Sequence, residues 1–152
     1  MDQFDRRILV LVQRDTRLTA DIIGQKVGLS GPAVQKRLKK LKESGVIQKE
    51  IAVLDGNALD RKQIVIVEVS LERENLAVLN AFKQKMNKSP QVQQCYYITG
   101  EADFILILQL QDMQEYEEFT REYFFQESNV SKFKTSVVMD RVKVSLDVLS
   151  DE

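Results

Sequence analysis

The chain has 152 residues and contains no histidine, no tryptophan, one cysteine and two prolines. Without histidine there is no Ser-His-Asp triad, no His-ligated metal and no HExxH zinc site. Cys95 alone forms neither an internal disulfide nor a CxxC metal or redox pair. No apolar run reaches the roughly 18 residues needed to span a bilayer. The opening Met1-Asp2-Gln3-Phe4-Asp5 lacks the pattern of a signal peptide. A soluble, cytoplasmic protein without metal or cofactor is expected, of a length that suits one domain or two small ones.

An excess of either charge is also missing, since 22 basic residues face 23 acidic ones for a net charge of −1. The average conceals a division. Residues 1–50 hold 11 basic and 6 acidic side chains, whereas residues 51–152 hold 11 and 17. Such asymmetry points to two modules with different partners.

The basic half has the periodicity of three short helices. Phe4, Ile8, Leu11 and Val12 recur at helical spacing, which predicts a helix over about Asp5–Arg14. Thr19 is placed to cap a second helix running to about Val27, with Ile23 and Val27 buried. Gly24 inside it suits the close approach of a neighbouring helix. In Gly28-Leu29-Ser30, Gly28 can end that helix and Ser30 can cap the next, where Pro32 fits the first turn. The third helix is expected over Gly31–Ser44, with Val34, Leu38 and Leu41 inward and Arg37 near the boundary. Gln35, Lys36, Lys39, Lys40 and Lys42 then face outward.

Two helices joined by a short glycine-containing turn, the second basic on its free face, describe a helix-turn-helix. Its second helix would enter the major groove of double-stranded DNA. Ser30, Ala33, Gln35 and Lys36 are the candidates for base contact, Gln35 through a bidentate pair with adenine. Arg37, Lys39 and Lys40 suit phosphates. A solvated basic face on a small three-helix core is the competing reading. After Gly45, Val46-Ile47 and Ile51-Ala52-Val53-Leu54 look extended and lead to the turn signal Asp55-Gly56-Asn57.

In the acidic half, Gln63–Leu71 is β-branched and nearly continuous, a strand. A helix is predicted over about Asn75–Asn87, then strands over Val92–Thr99 and Asp103–Gln111. Asp112-Met113-Gln114-Glu115 has capping-box spacing. It opens a helix whose inner stripe is expected to be Met113, Tyr116, Phe119, Thr120 and Tyr123. Val130–Met139 is a fourth strand, and the alternation of Val142, Val144, Leu146 and Val148 suggests a fifth, peripheral one. The order β-α-β-β-α-β is the ferredoxin-like arrangement, so the fold class is α+β. Its helices cover one sheet face only. The other also carries apolar residues and needs a cover, for which a second subunit is the economical choice. The terminal segment or the first module is the alternative cover.

Several stretches in this order carry a family likeness. They are Asp5-Arg6-Arg7-Ile8-Leu9, Asp15-Thr16-Arg17, Val27-Gly28-Leu29-Ser30, Arg37-Leu38-Lys39-Lys40-Leu41, Gly45-Val46-Ile47 and Pro90-Gln91-Val92. The most diagnostic is Cys95-Tyr96-Tyr97-Ile98-Thr99-Gly100-Glu101-Ala102-Asp103-Phe104, and Val137-Val138-Met139 with Val142-Lys143 completes the set. The chain resembles the Lrp/AsnC (leucine-responsive/asparagine, feast-famine) family of transcription regulators over essentially its whole length.

The resemblance implies a winged or plain helix-turn-helix over residues 1–50, a β-strand linker over 51–62, and an effector-binding and oligomerisation domain with a C-terminal strand or tail over 63–152. It implies a homodimer, assembling further to a tetramer or octamer. It also implies a small-molecule effector, an amino acid, bound by Tyr97, Thr99, Gly100, Glu101 and Asp103 facing Thr135 and Ser136 of a neighbour. The residues themselves agree. Gly100 lets backbone N–H groups approach a carboxylate, and Asp103 suits an α-ammonium. The same loop also reads as an ordinary hairpin connection. Gln126-Glu127-Ser128-Asn129 departs from the family in lacking Pro-Gly. A ligand-independent architectural DNA-binding protein of the same fold is the alternative function. Siroheme decarboxylases share the two-module build, but they use histidine, and no nucleophile–base pair is evident in this chain, so no enzyme is expected.

Overall fold

Asp2 starts the first helix. Its carboxylate accepts the Asp5 amide, and the Asp5 carboxylate accepts the Asp2 amide, a complete capping box that opens α1 at Gln3–Val12. The helix therefore begins and ends two residues earlier than the apolar spacing suggests. The structure, a computed structural model, describes residues 1–72, 75–126 and 129–150.

Thr19 caps α2 (Ala20–Val27) through the Ile22 amide, and Ser30 caps α3 (Gly31–Glu43) through that of Ala33. Gly28 closes α2 in the left-handed conformation at φ 80°. Gly24 meets no neighbouring helix. A Cβ placed there would strike the Leu29 carbonyl oxygen of the returning turn, while both the Gly28 and Leu29 amides bond to the Gly24 carbonyl. The close approach is thus within the helix-turn-helix joint. Ile8, Ile23, Val27 and Val34 form the small core, flanked by Leu11, Leu18, Leu29 and Leu38. Phe4 does not join it.

No wing follows. Among the described residues, neither Val46-Ile47 nor the 51–62 segment contains a strand, because no partner strand supplies a hydrogen-bond ladder. Ile51, Val53 and Leu54 are exposed, and Asn57–Leu59 is a single 3₁₀ turn. Arg61 then binds Glu115 through both carboxylate oxygens at 2.7 Å.

The second half holds β1 (Gln63–Leu71), α4 (Leu76–Lys88), β2 (Val92–Tyr97), β3 (Phe104–Leu110), α5 (Met113–Thr120) and β4 (Val130–Val137). All neighbours pair antiparallel in the order β2-β3-β1-β4, which is the ferredoxin-like topology. Alternation sends Val65, Val67, Val69, Phe104, Leu106, Leu108 and Leu110 to the helix-covered side, against Phe82, Met86, Tyr116 and Phe119. The opposite side carries half-buried Ile64, Ile66, Ile105 and Ile107.

The capping box at α5 is half formed. Asp112 accepts the Glu115 amide, but the Glu115 carboxylate accepts the Gln111 amide and Arg61 instead. One turn of π-helix, Arg121–Phe125, continues α5. Its wider turn shifts the inner face to Phe124, which is buried; Met113, expected in the stripe, is the first residue of α5 and lies exposed. Of the Gln126–Asn129 connection, Glu127 and Ser128 fall outside the described residues.

The chain divides into two compact units, Met1–Val53 with Val142–Glu152, and Leu54–Arg141. The segment from Val142, expected as the tail of the 63–152 domain, groups with the first unit. No fifth strand forms in 142–150. The Gln13 side-chain amide instead takes the main chain there, donating to the Leu149 carbonyl at 2.7 Å and accepting the Val148 and Leu149 amides. Arg14 pairs with Asp147 at 3.3 Å.

Candidate nucleic-acid interface and effector loop

The free face of α3 is built by what its other face buries. Val34 lies in the core, Leu38 packs against it and Leu41 is buried, so the intervening positions turn outward. Gln35, Lys36, Lys39 and Lys40 are all exposed. Lys39 makes only a long contact of 3.8 Å with Glu43, and Lys42 pairs with Glu50 at 2.8 Å beyond the helix. Exposed pairs of this kind are worth little, so these lysines can exchange partners for phosphates. Ser30 is exposed at the helix start, its hydroxyl accepting the Ala33 amide at 3.4 Å, and Ala33 is half-buried beside it.

Arg37 sits differently. Its Nη1 donates to Asp2 Oδ2 at 2.7 Å and to Asp5 Oδ1 at 2.8 Å, and its guanidinium lies over the Phe4 ring at 5.5 Å. The Asp2 and Asp5 carboxyls are held below the usual carboxylate range, first by the backbone amide each accepts and next by Arg37. Arg7 is engaged likewise, donating from α1 to the Lys26 and Val27 carbonyls at the end of α2. Sequence reading missed Asp2, Asp5 and Arg7 as organisers of this unit, although the Asp2-x-x-Asp5 spacing was a signal for the cap.

In the second unit the predicted effector residues separate into two groups. Thr99, Gly100 and Glu101 form an exposed turn after β2, with Gly100 at φ 129°, a conformation that side chains rarely adopt. Tyr97 packs at a tilt of 45° against Phe104, with Lys83 over its ring at 4.8 Å. Asp103 holds the turn to β1. Its Oδ2 accepts the Leu71 amide at 2.7 Å, its own amide donates to Val69, and its carbonyl accepts Ile98. Its other carboxylate oxygen accepts no hydrogen bond among the described residues.

Thr135 and Ser136 lie on β4, at the opposite edge of the sheet from β2. Thr135 opposes Val67 on the helix side and its hydroxyl meets the Tyr116 hydroxyl; Ser136 opposes Ile66 on the open side. One chain does not bring the two groups together, so a common site would have to be composed across copies. Cys95 is half-buried, and burial pushes its thiol pKa up, which disfavours the reactive thiolate. No helix among the described residues is long and apolar enough to cross a membrane.

Two family models match. Residues 1–42 match an AsnC-type helix-turn-helix domain, and residues 64–148 match an Lrp/AsnC ligand-binding domain. An HTH-type transcriptional regulator of Sinorhizobium fredii is 45% identical over 97% of this chain and 88% of its own. The leucine-responsive regulatory protein of Escherichia coli is 32% identical over 95% and 88%. Among solved structures, an AsnC family transcriptional regulator from Agrobacterium tumefaciens superposes with a TM-score of 0.92 at 26% identity, covering 98% of this chain and 97% of that one. The L-Met complex of a transcriptional regulator from Neisseria meningitidis gives 0.90 at 26% identity, covering 96% and 94%.

Proposed function

The chain belongs to the Lrp/AsnC family of transcriptional regulators, and from that premise we propose how it acts. It is a cytoplasmic homodimer that presents two α3 helices to successive major grooves of a near-palindromic DNA site. Gln35, with Ser30, Ala33 and Lys36, meets base edges, while Lys39 and Lys40 hold phosphates. The exposed, weakly paired lysines of α3 carry this reading.

The dimer closes over the open sheet face, where Ile64, Ile66, Ile105 and Ile107 form an apolar band with no cover from their own helices. Dimers then assemble into tetramers or octamers. The effector is an amino acid bound between subunits, by Tyr97, Thr99, Gly100, Glu101 and Asp103 of one chain and Thr135 and Ser136 of another. The L-Met complex of the Neisseria meningitidis relative supports this class of ligand. Binding shifts DNA affinity only as far as the amino acid favours one assembly over another.

The double variant Lys36→Ala/Lys39→Ala tests the interface. It should weaken binding to a duplex selected from a random-sequence pool. The slope of log K against log salt should also fall by about 0.9 for each phosphate no longer neutralised. An unchanged slope would remove those lysines from the interface.

A further inference from the structure

Arg37 lies on the helix that carries the proposed DNA-contacting residues, yet it points away from the role its charge suggests. Its Nη1 is shared between two carboxylates, and its side chain is only 30% exposed against 77% for Lys39. Asp5, the more buried partner, is 15% exposed. A guanidinium held by two charged hydrogen bonds and resting on the Phe4 ring is fixed in place. Its partners are fixed too, since Asp2 and Asp5 cap α1 through each other's backbone amides. One turn of α1 is thereby tied to the middle of α3.

The apolar packing between these helices cannot do this alone. Val34 and Ile8 set the spacing and the buried stripe sets which face of α3 turns inward, but apolar contact is non-directional and leaves the fine setting of the roll to other interactions. The two charged hydrogen bonds of Arg37 add direction. Roll is what decides whether Gln35 and Lys36 reach base edges, because a rotation of α3 carries both off the groove floor together.

We propose that Arg37 is a positioning residue, which locks the roll of α3 through the Asp2–Asp5 cap of α1 and so sets base-specific recognition without itself binding a phosphate. This rests on the DNA-binding reading above. It predicts an effect opposite in sign to simple electrostatics. Neutralising Asp5 removes a negative charge from the neighbourhood of DNA and frees Arg37, which should tighten binding if Arg37 were a phosphate ligand. If Arg37 positions α3, neutralising Asp5 weakens specific binding.

The test uses the full chain with Arg37→Gln, Arg37→Lys, Asp2→Asn and Asp5→Asn, each checked for folded helix content by circular dichroism. Affinity is measured for a duplex selected from a random-sequence pool and for a mixed-sequence duplex, across a salt series. Positioning predicts that Arg37→Gln and Asp5→Asn each lose on the order of tenfold on the selected duplex, corresponding to about 1.4 kcal/mol. Mixed-sequence binding and the salt slope stay unchanged, and Arg37→Lys, which keeps the charge but not the fork, resembles Arg37→Gln. A loss of fold alone would lower both duplexes together. If the Arg37 variants unfold, Asp2→Asn, at the more exposed partner, decides by the sign of its effect on the selected duplex. The proposal is overturned if Arg37→Gln lowers the slope by about 0.9, if Arg37→Lys binds as the parent does, or if Asp5→Asn or Asp2→Asn binds the selected duplex more tightly. A parent chain that binds neither duplex overturns the underlying DNA-binding reading instead.

Discussion

The two units of this chain solve the problem of cohesion in different ways. The second has a continuous apolar core beneath a four-stranded sheet, in which Val65, Val67, Val69, Phe104, Leu106, Leu108 and Leu110 meet the helices above. The first has a small core cluster of Ile8, Ile23, Val27 and Val34, and supplements it with polar devices. Those devices are the Asp2–Asp5 cap, the Arg37 pair with it, and Arg7 on the end of α2. The lesson is that charge in the first unit has two duties. Arg7 and Arg37 hold helices together, while Lys36, Lys39 and Lys40 are left on the surface. A net count of basic residues cannot separate these duties.

The contrast is tested most severely at the core of the second unit. Phe104, fully buried and packed on the Phe82 and Tyr97 rings, should cost about 3–5 kcal/mol on truncation to alanine. Calorimetry should show the sheet unit losing stability, and a near-neutral result would mean that the sheet core does not carry the unit. In the first unit the sensitive point is a turn and not a large side chain. Gly24→Ala forces a methyl group against the Leu29 carbonyl, and about 2 kcal/mol of destabilisation is expected. Loss of DNA binding with the sheet intact by circular dichroism would accompany it.

Much of this was legible in the sequence, and the limits have physical causes. Local signals transferred well, because Thr19, Ser30 and Asp112 all cap the helices they precede. The strand at Gln63–Leu71 was equally plain from its β-branched run. What periodicity cannot show is a change of period. The π turn at Arg121–Phe125 brings Phe124 into the core, a residue outside the expected stripe. Nor can it show partners distant in the chain. Arg37, placed near the boundary and grouped with Lys39 and Lys40 for phosphates, is held instead by Asp2, 35 residues away. The Ile51–Leu54 and Val142–Val148 segments have strand-like patterns but form no strand within one chain, since pairing requires a second edge.

A smaller effect separates the proposed ligand role of Asp103 from its structural one. Asp103→Asn retains a carbonyl oxygen for the Leu71 amide while removing the charge that would bind an ammonium. Thermal shifts with the twenty amino acids should therefore vanish in the variant while its own melting temperature changes little. A retained shift would exclude Asp103 as the ammonium partner. The smallest expected effect is that of acid on the first unit. Asp2 and Asp5 have lowered pKa values in the folded chain, so the unfolded chain takes up protons first as pH falls. Their contribution is complete above the ordinary carboxylate range and is lost progressively as pH drops through it towards the lowered folded values. Arg37→Gln should blunt that loss, and an unaltered acid melting profile would show that the pair adds nothing to stability.

The most direct test of the central claim is the salt dependence of DNA binding by the full chain. Binding should be measurable to a duplex selected from a random-sequence pool, and log K should fall linearly with log salt. The slope should correspond to several neutralised phosphates, at about 0.9 for each. An absence of binding, or an affinity indifferent to salt, would contradict the assignment of the basic face of α3 as the DNA interface.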